Sequence, residues 1–346
     1  MNRMRLTRWV SCLFVMLTAL CGTAHAQTPD GAQQQAQRQQ TQPGNNAPVW
    51  RDVRGGENPY QTTQVRGRET TVLIQSGGET WRQTRRVFTY YGGWVLAIVP
   101  LLIGLFYWRK GAIKLNEKPT GRLMARFTDW QRMIHWTVAI TFCVLALSGL
   151  IMLFGKYVLM PVFGRTLFSW LAILCKNLHN FVGPVFALAL ILMILTFIKD
   201  NFLKIYDFKW IAKLGGIVSG EHVPSGRFNA GEKLWFWGGV MFLGIVVSAT
   251  GFVLDFANFG QGRELMQLAN VVHAVSAMLF VAAFFGHAYM GTLGTEGAYQ
   301  AMRQGVVDET WAKEHHDIWY QEMINSKSST VAGAQGLVIP TTIKQG

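Results

Sequence analysis

The 346-residue sequence has few charged residues and few cysteines for its length. Asp, Glu, Lys and Arg make up 15% of the chain, whereas apolar side chains make up 50% and aromatic ones 13%, which argues against an ordinary soluble domain. Of the four cysteines, Cys12 and Cys21 lie near the N-terminus, and Cys143 lies within an apolar run. Only Cys175 remains, so the sequence excludes a disulfide framework and a metal site built from a cysteine pair.

Acidic residues are fewer than basic residues. Nineteen Asp and Glu stand against 32 Lys and Arg, which gives a net charge of +13. A basic excess can indicate nucleic-acid binding, but here the Lys and Arg are concentrated in the connections between apolar runs, as in membrane proteins. We therefore predict a protein embedded in a lipid bilayer, with no nucleic-acid partner.

Five apolar runs are close to the ~20 residues that a bilayer-spanning helix needs. They are 88–108, 130–154, 178–198, 234–256 and 268–292. The connections 109–132 and 199–233 carry most of the basic residues and are predicted to be cytoplasmic. An outside N-terminus and a cytoplasmic C-terminus require an odd number of spans, which five satisfies.

The N-terminus has the pattern of a secretory signal peptide over residues 1–26, with a basic start, an apolar centre and Ala24-His25-Ala26 at its end. An uncleaved anchor helix is the alternative. Residues 27–86 are predicted to form a Gln-rich, partly disordered periplasmic tail, with a hairpin around Ser76-Gly77-Gly78. An extra transmembrane helix, a four-helix domain and a cytoplasmic C-terminal tail are then predicted at 87–108, 122–295 and 296–346.

Four histidines lie inside or at the mouths of the apolar runs, where a polar ring is costly and indicates function. His273 and His287 are fourteen residues apart on one run. At ~1.5 Å and ~100° per residue, both rings leave the same helix face about 21 Å apart. By depth, His135 is predicted to pair with His287 near the inner face, and His179 with His273 near the outer face. We call these the inner pair and the outer pair.

Two neutral imidazoles can fill both axial positions of a haem iron, which leaves no site for oxygen and suits electron transfer. Small residues at the predicted cofactor levels would let a flat macrocycle approach the helices, although helix packing alone also enriches glycine. These positions are Gly149, Gly183, Gly251 and Gly286. We therefore predict an all-α membrane protein, with a four-helix transmembrane haem-binding bundle plus one additional N-terminal transmembrane helix.

Three other interpretations of the histidines remain. They could be hydrogen-bonded packing residues or members of a proton relay, or they could line the substrate path of a membrane transporter. The runs show no inverted repeat and no acidic residue at mid-depth, which disfavours transport. Zinc is disfavoured because each pair is isolated from further ligands. Outside the runs, His315 and His316 are expected on a solvated cytoplasmic face, and His222 is assigned no ligation.

Four stretches carry a resemblance to a known family. They are RFTDWQRMIHWTVAITFCVLALSGL, SGRFNAGEKLWFW, LANVVHAVSAMLFVAAFFGHAYMG and ETWAKEHHDIWYQEM. Together they make residues 122–322 resemble the gamma subunit, a cytochrome b, of membrane-bound formate dehydrogenase. The four-histidine pattern alone also resembles the cytochrome b subunits of nickel–iron hydrogenases and thiosulfate reductases, which stay as the alternative. Residues 1–121 depart from the family pattern, which has four spans and no cleaved signal.

The resemblance implies two b-type haems, one held by each histidine pair, and a quinone, either menaquinone or ubiquinone, on the cytoplasmic side. The residues that match the quinone site are Asn229, Gly231 and His287. From the residues alone, the favoured role of Asn229 is the N-cap of the helix that begins near Glu232, and both roles are compatible.

The resemblance also implies partners in a respiratory complex of the bacterial inner membrane. A catalytic alpha subunit with molybdenum or tungsten would oxidise formate outside, and an iron–sulfur beta subunit would pass electrons to the outer haem. The electrons would then cross to the inner haem and reduce the quinone in anaerobic respiration. This chain would then have no formate site of its own.

Overall fold

The computed structural model describes residues 76–216 and 223–333. The predicted signal peptide at 1–26 and most of the predicted tail at 27–86 lie outside the described residues. The part of the tail that is described is helical from Ser76 onward. The hairpin predicted around Ser76-Gly77-Gly78 is therefore wrong. The polar stretch ETWRQTRR has no strand alternation and contains good helix formers, so it extends the helix of the apolar run that follows.

The described residues form ten α-helices and two short strands. The helices are α1 (Ser76–Lys110), α2 (Asp129–Val158), α3 (Met160–Phe197), α4 (Ile205–Ala212), α5 (Ala230–Leu234), α6 (Gly244–Asp255), α7 (Arg263–Tyr289), α8 (Ala298–Gln304), α9 (Glu309–His315) and α10 (Asp317–Gly333). Two 3₁₀ turns, at Ile198–Asn201 and Leu214–Gly216, flank α4, and π-helical segments occupy Trp235–Leu243 and Met290–Gly294. Strands β1 (Leu123–Ala125) and β2 (Val306–Asp308) pair antiparallel, with Met124 opposite Val307.

Within these ranges, five helical segments are long and apolar enough to cross a membrane. The predicted all-α membrane fold is thereby confirmed, apart from the single strand pair. Large apolar side chains cover the outward surfaces of the helices, such as Leu147, Leu188 and Leu279, each more than half exposed. In water such a surface would be unfavourable, so these faces are suited to contact lipid.

The third span differs from its prediction. Helix α3 begins at Met160 rather than near 178, and its backbone is helical except at Gly164, where φ is 76°. The extension occurs because the sequence between the two apolar runs itself contains good apolar helix formers, namely Leu, Ala and Met. The predicted span 178–198 puts His179 at the start of its helix, and this is wrong, because His179 lies well inside a long helix.

Backbone packing divides the chain into two units. In the described part of the first, residues 76–86 and Val253–Leu268, the side chain of Gln261 closes a turn by donating to the Phe256 carbonyl and accepting from the Phe259 amide. The second unit contains Val87–Phe252 and everything from Ala269 onward, and all four membrane histidines belong to it.

The core of the second unit lies between its spanning helices. Helices α2 and α3 pack along most of their length. Helix α2 starts with a capping box, in which Thr128 accepts from the Gln131 amide and the Gln131 side chain accepts from the Thr128 amide. The buried centre consists mainly of aromatic and branched side chains from α2, α3, the π-helical segment and α7, including Phe142, Phe186, Leu190, Val240 and Phe280.

The additional N-terminal helix packs within the second unit through two glycines. A Cβ at Gly92 would overlap the side chain of Met278 on α7, and one at Gly93 would lie 3.2 Å from the ring of Phe154 on α2. Nearer the other end of α1, the ring of Tyr107 meets that of Tyr289 edge to face, with centroids 6.1 Å apart. The helix carries no histidine, and close approach to α2 and α7 explains its glycine pair.

The segment predicted as a C-terminal tail is folded wherever its side chains are described. Its strand β2 pairs with β1, and the Asp308 carboxylate accepts the amides of Thr120, Gly121 and Thr310. Burial raises the pKa of Asp308, but these hydrogen bonds outweigh it and lower the pKa below the usual value. The carboxylate of Glu314 similarly accepts backbone amides from the connection after α1. This segment therefore packs against the connections after α1 and before α2.

Candidate functional site

The four membrane histidines come together in the two pairs expected from depth. The ring centroids of His135 on α2 and His287 on α7 are 6.2 Å apart, with planes inclined by 54°. Those of His179 on α3 and His273 on α7 are 6.0 Å apart, with planes inclined by 74°. Because α7 is one uninterrupted helix between His273 and His287, the two pairs lie about 21 Å apart along it.

Both separations suit two axial imidazoles on one metal. A metal–imidazole bond is about 2 Å long and the ring centre lies roughly 1 Å behind the nitrogen, so two such rings have centroids about 6 Å apart. No group of three or more His, Cys, Asp or Glu that could hold an ion occurs in the described ranges. A site that takes only two protein ligands from opposite sides fits haem better than a bare cation.

Hydroxyl groups orient the outer pair. Ser148 Oγ lies 2.9 Å from His179 Nδ1, and Thr250 Oγ1 lies 3.1 Å from His273 Nδ1. Each hydroxyl also donates to a backbone carbonyl of its own helix, Ser148 to Leu145 and Thr250 to Val246. Because a hydroxyl has one proton, it then accepts from Nδ1–H, and the Nε2 lone pair of each histidine is left to bind a metal.

Glycines adjoin the same two rings. A Cβ at Gly149 would lie 3.3 Å from His179 Cε1, and a Cβ at Gly251 would lie 3.3 Å from His273 Cε1. These two glycines therefore make room for the imidazoles. At Gly183 and Gly286 a Cβ would meet nothing within 4 Å, so there is open space beside each of them.

The inner pair has different surroundings. His135 Nδ1 is buried and has no hydrogen-bond partner within the described residues. The ring of His287 stacks on that of Trp235, with centroids 4.7 Å apart and planes inclined by 10°. Trp235 opens the nine-residue π-helical segment, a rare backbone form that is often found at functional sites.

A layer of phenylalanines lies between the two pairs along the helices. Phe142 is seven residues after His135 on α2, and its ring centroid lies 4.7 Å from that of Phe280 and 4.9 Å from that of Phe284 on α7. Phe142 and Phe280 are 8% and 4% exposed. This layer therefore fills the space between the two levels with apolar rings.

Asn229 ends the loop that leads into the fourth spanning segment, and Gly231 lies in the first turn of that segment, in α5. Asn229 is the N-cap of α5, since its Oδ1 accepts from the Glu232 amide and the Glu232 carboxylate accepts from the Asn229 amide. A Cβ at Gly231 would lie 2.8 Å from the ring of Trp210. Asn229 precedes Trp235 by six residues, about 9 Å of helix, which brings the loop near the ring that stacks on His287.

The buried side chain of Arg126 connects the loop before α5 to neighbouring segments. Arg126 donates to the Arg227 carbonyl and to Glu232, and its guanidinium lies 4.6 Å from the centroid of the Trp311 ring. The Arg126 side chain is 2% exposed. Burial lowers the pKa of Arg126, Glu232 opposes the shift, and the neighbouring Arg227 adds to it. The carboxylate of Glu232 thus both caps α5 and compensates the buried charge.

The expected solvated face at His315 and His316 is wrong for His316. This side chain is 1% exposed, and its Nδ1 donates to the Gly226 carbonyl at 2.7 Å. Burial first, and then the charge of Arg126, lower the pKa of His316 well below the usual histidine value. The imidazole is buried because the C-terminal segment folds over the loop. His222 lies outside the described residues.

Sequence reasoning missed three side chains that contact the histidines: Ser148, Thr250 and Trp235. A signal for the first two was present, since each hydroxyl residue directly precedes a glycine that touches the same imidazole. No comparable sequence signal marks Trp235, because the chain contains 13 tryptophans and most membrane proteins place them at interfaces.

Comparison with known proteins agrees with this geometry. Residues 126–305 match the family described as prokaryotic cytochrome b561, a range that includes all four paired histidines, Asn229 and Gly231. The chain is 30% identical over 204 residues to the formate dehydrogenase cytochrome b556(fdo) subunit of Escherichia coli K12, covering 58% of this chain and 93% of the relative.

The chain belongs to the formate dehydrogenase cytochrome b family. Two further relatives of this cytochrome b are the nitrate-inducible cytochrome b556(Fdn) subunit of Escherichia coli K12 and a formate dehydrogenase cytochrome b556 subunit of Haemophilus influenzae. The first is 29% identical over 208 residues, 58% of this chain and 92% of the relative. The second is 26% identical over 203 residues, 57% of this chain and 82% of the relative. Family membership makes the chain a multi-pass membrane subunit of an oxidoreductase complex and implies haem b.

Proposed function

We propose that this cytochrome b carries electrons across the membrane from a periplasmic iron–sulfur subunit to a quinone at the cytoplasmic side. The observation that supports this most directly is the two histidine pairs on one α7 face, each with the ring separation that an axially ligated metal requires. Two sites about 21 Å apart along a helix cover most of the ~30 Å hydrocarbon thickness of a bilayer.

The residues that would hold two b haems are His135 and His287 at the inner level, and His179 and His273 at the outer level. Bound haem would supply reversible one-electron chemistry, with both axial positions filled by protein. The chain's own part is to fix the four imidazoles. Ser148 and Thr250 orient the outer rings, and Trp235 holds the ring of His287 by stacking.

The cytoplasmic loop supplies the groups for a quinone. Asn229 uses its Oδ1 and its backbone in the α5 cap, so its Nδ2 is the donor left for a quinone carbonyl. Gly231 follows close by and packs against the ring of Trp210, and His287 lies beyond Trp235. The cap and the quinone contact are compatible, because they use different atoms of Asn229. The two protons taken up on reduction would come from the cytoplasmic side.

The orientation follows from the basic connections. The 109–132 and 199–233 connections carry most of the Lys and Arg, which favours the cytoplasmic side of a bacterial inner membrane. The relatives named above are cytochrome subunits of formate dehydrogenase. We therefore assign to this chain the same kind of complex, with an iron–sulfur beta subunit and a molybdenum or tungsten alpha subunit that holds the formate site.

The test is haem quantitation on the purified chain, by pyridine haemochrome against protein mass, with a dithionite-reduced spectrum. We expect two haems per chain. His287→Ala should remove the inner haem and quinone reduction, and should leave one haem that formate still reduces in the assembled complex. His179→Ala should remove the outer haem and stop reduction of the inner one by formate.

The matched control is His315→Ala, which changes a cytoplasmic histidine outside both pairs. It should keep two haems. One haem or none in the unmodified chain would refute the proposal. A His287→Ala chain that loses only the haem reduced first by formate would show that the two levels are assigned to the wrong sides.

A further inference from the structure

We propose that the hydroxyls of Ser148 and Thr250 lower the reduction potential of the outer haem below that of the inner haem, so that inward electron transfer is downhill. Both residues are positioning residues, since each acts through a histidine. The inference rests on the proposed function, because it requires a haem at each pair.

The two hydroxyls form matching contacts on different helices. Ser148 and Gly149 on α2 hold the ring of His179 on α3, with the hydroxyl 2.9 Å from Nδ1. The equivalent dipeptide on α6, Thr250-Gly251, holds the ring of His273 on α7, with the hydroxyl 3.1 Å from Nδ1. In each case a glycine admits the imidazole and the preceding hydroxyl meets its far nitrogen.

The direction of the effect follows from the proton arrangement. A histidine that binds iron through Nε2 carries its proton on Nδ1, and that N–H donates to the hydroxyl oxygen. The hydroxyl proton is directed to the Leu145 or Val246 carbonyl, which polarises the oxygen and strengthens it as an acceptor. A hydrogen-bonded Nδ1–H makes the imidazole a stronger electron donor, which stabilises the oxidised iron and lowers the potential.

The inner pair lacks this arrangement. His135 Nδ1 is buried without a partner within the described residues, and the ring of His287 is covered by the face of Trp235. Neither imidazole of the inner pair therefore gains the electron density that a hydroxyl acceptor at Nδ1 would give it. Burial among aromatic rings also favours the iron state of lower charge, which is the reduced one. The inner haem would therefore have the higher reduction potential, which drives electrons from the outer pair to the inner pair.

The test is a spectroelectrochemical titration of the purified two-haem chain and its variants. The step that remains in His179→Ala identifies the inner haem. Ser148→Ala and Thr250→Val each delete one hydroxyl. At a fixed ambient potential, we expect each to raise the ratio of reduced to oxidised outer haem by about tenfold, or 59 mV for a one-electron couple. The inner step should not move.

Two controls separate tuning from packing. Thr141→Val removes a buried α2 hydroxyl whose hydrogen bonds within the described residues go to the backbone carbonyls of Thr137 and Val138, and it should leave both potentials unchanged. Thr250→Ser keeps the hydroxyl and should keep the outer potential close to that of the unmodified chain.

Several results would overturn the inference. One is an outer haem whose reduction potential lies above that of the inner haem in the unmodified chain. Another is an outer potential that stays unchanged in Ser148→Ala and Thr250→Val while both haems are retained. A third is loss of the outer haem in both variants, because the hydroxyls would then serve retention rather than potential. A count below two haems in the unmodified chain would instead overturn the proposed function.

Discussion

The buried ion pair between Lys233 and Asp207 tests how the loop around Gly231 is held. Lys233 Nζ lies 2.6 Å from Asp207 Oδ2, and the two side chains are 2% and 1% exposed. The same carboxylate oxygen accepts from the Lys204 amide, whereas Asp207 Oδ1 has no partner within the described residues. Lys233→Met would therefore leave a buried carboxylate without its counter-charge.

The expected magnitude follows from this burial. Removing one partner of a buried pair costs about 3–5 kcal/mol, whereas replacing both by apolar residues of similar volume is often neutral. We expect Lys233→Met to lower the free energy of unfolding by about that amount, and Lys233→Met/Asp207→Leu to recover most of it. The pair of Lys313 and Glu117 is the exposed control, with a separation of 3.8 Å and side chains 57% and 68% exposed. Lys313→Met should cost no more than about 1 kcal/mol.

The assay is denaturant unfolding in detergent micelles, followed by tryptophan fluorescence, together with hydrogen exchange over residues 205–234. Lys233→Met should unfold at lower denaturant and exchange faster in that range. If it proves as stable as Lys313→Met, the pair is solvated and the argument from burial fails. If the double variant is as unstable as the single one, lost packing rather than an unpaired charge explains the effect.

Three further predictions concern the interior of the bundle and the C-terminal segment. Phe142→Ala should cost about 3–5 kcal/mol of unfolding free energy; an unchanged denaturation midpoint would contradict close packing of the phenylalanine layer. Because the pKa of His316 is lowered on folding, its contribution is present above about pH 6.5 and is lost as the pH falls. After correction for the intrinsic exchange rate at each pH, the protection of amides over 309–320 should therefore fall in acid, and His316→Asn should flatten that dependence. Equal pH dependence of protection in both chains would refute it. Gly251→Ala should press on His273 at a cost of about 1–3 kcal/mol and shift the absorption of the haem proposed at the outer pair. Gly104→Ala, in open space, should change neither, and identical spectra of the two variants would exclude the contact.

Much of the fold and the pairing of histidines could be predicted because membrane spans and their sides are one-dimensional properties. Hydropathy marks the five spans, the basic connections orient them, and helical rise then gives each histidine a depth. The start of α3 was mispredicted because Arg165 and Lys176 interrupt the apolar pattern before 178 without breaking the helix. The C-terminal segment was missed for a related reason, since its contacts with residues more than 180 positions away leave no local pattern.

The sequence by itself determined which helices cross the membrane and which histidines share a level, because both depend on composition and spacing along single helices. Only the tertiary structure decided what touches those histidines. Ser148 and Thr250 contact Nδ1 of the outer rings, and Trp235 covers His287. These contacts depend on the rotation of one helix against another. Such contacts between helices leave no period in the sequence, yet they determine how the inner and outer sites differ.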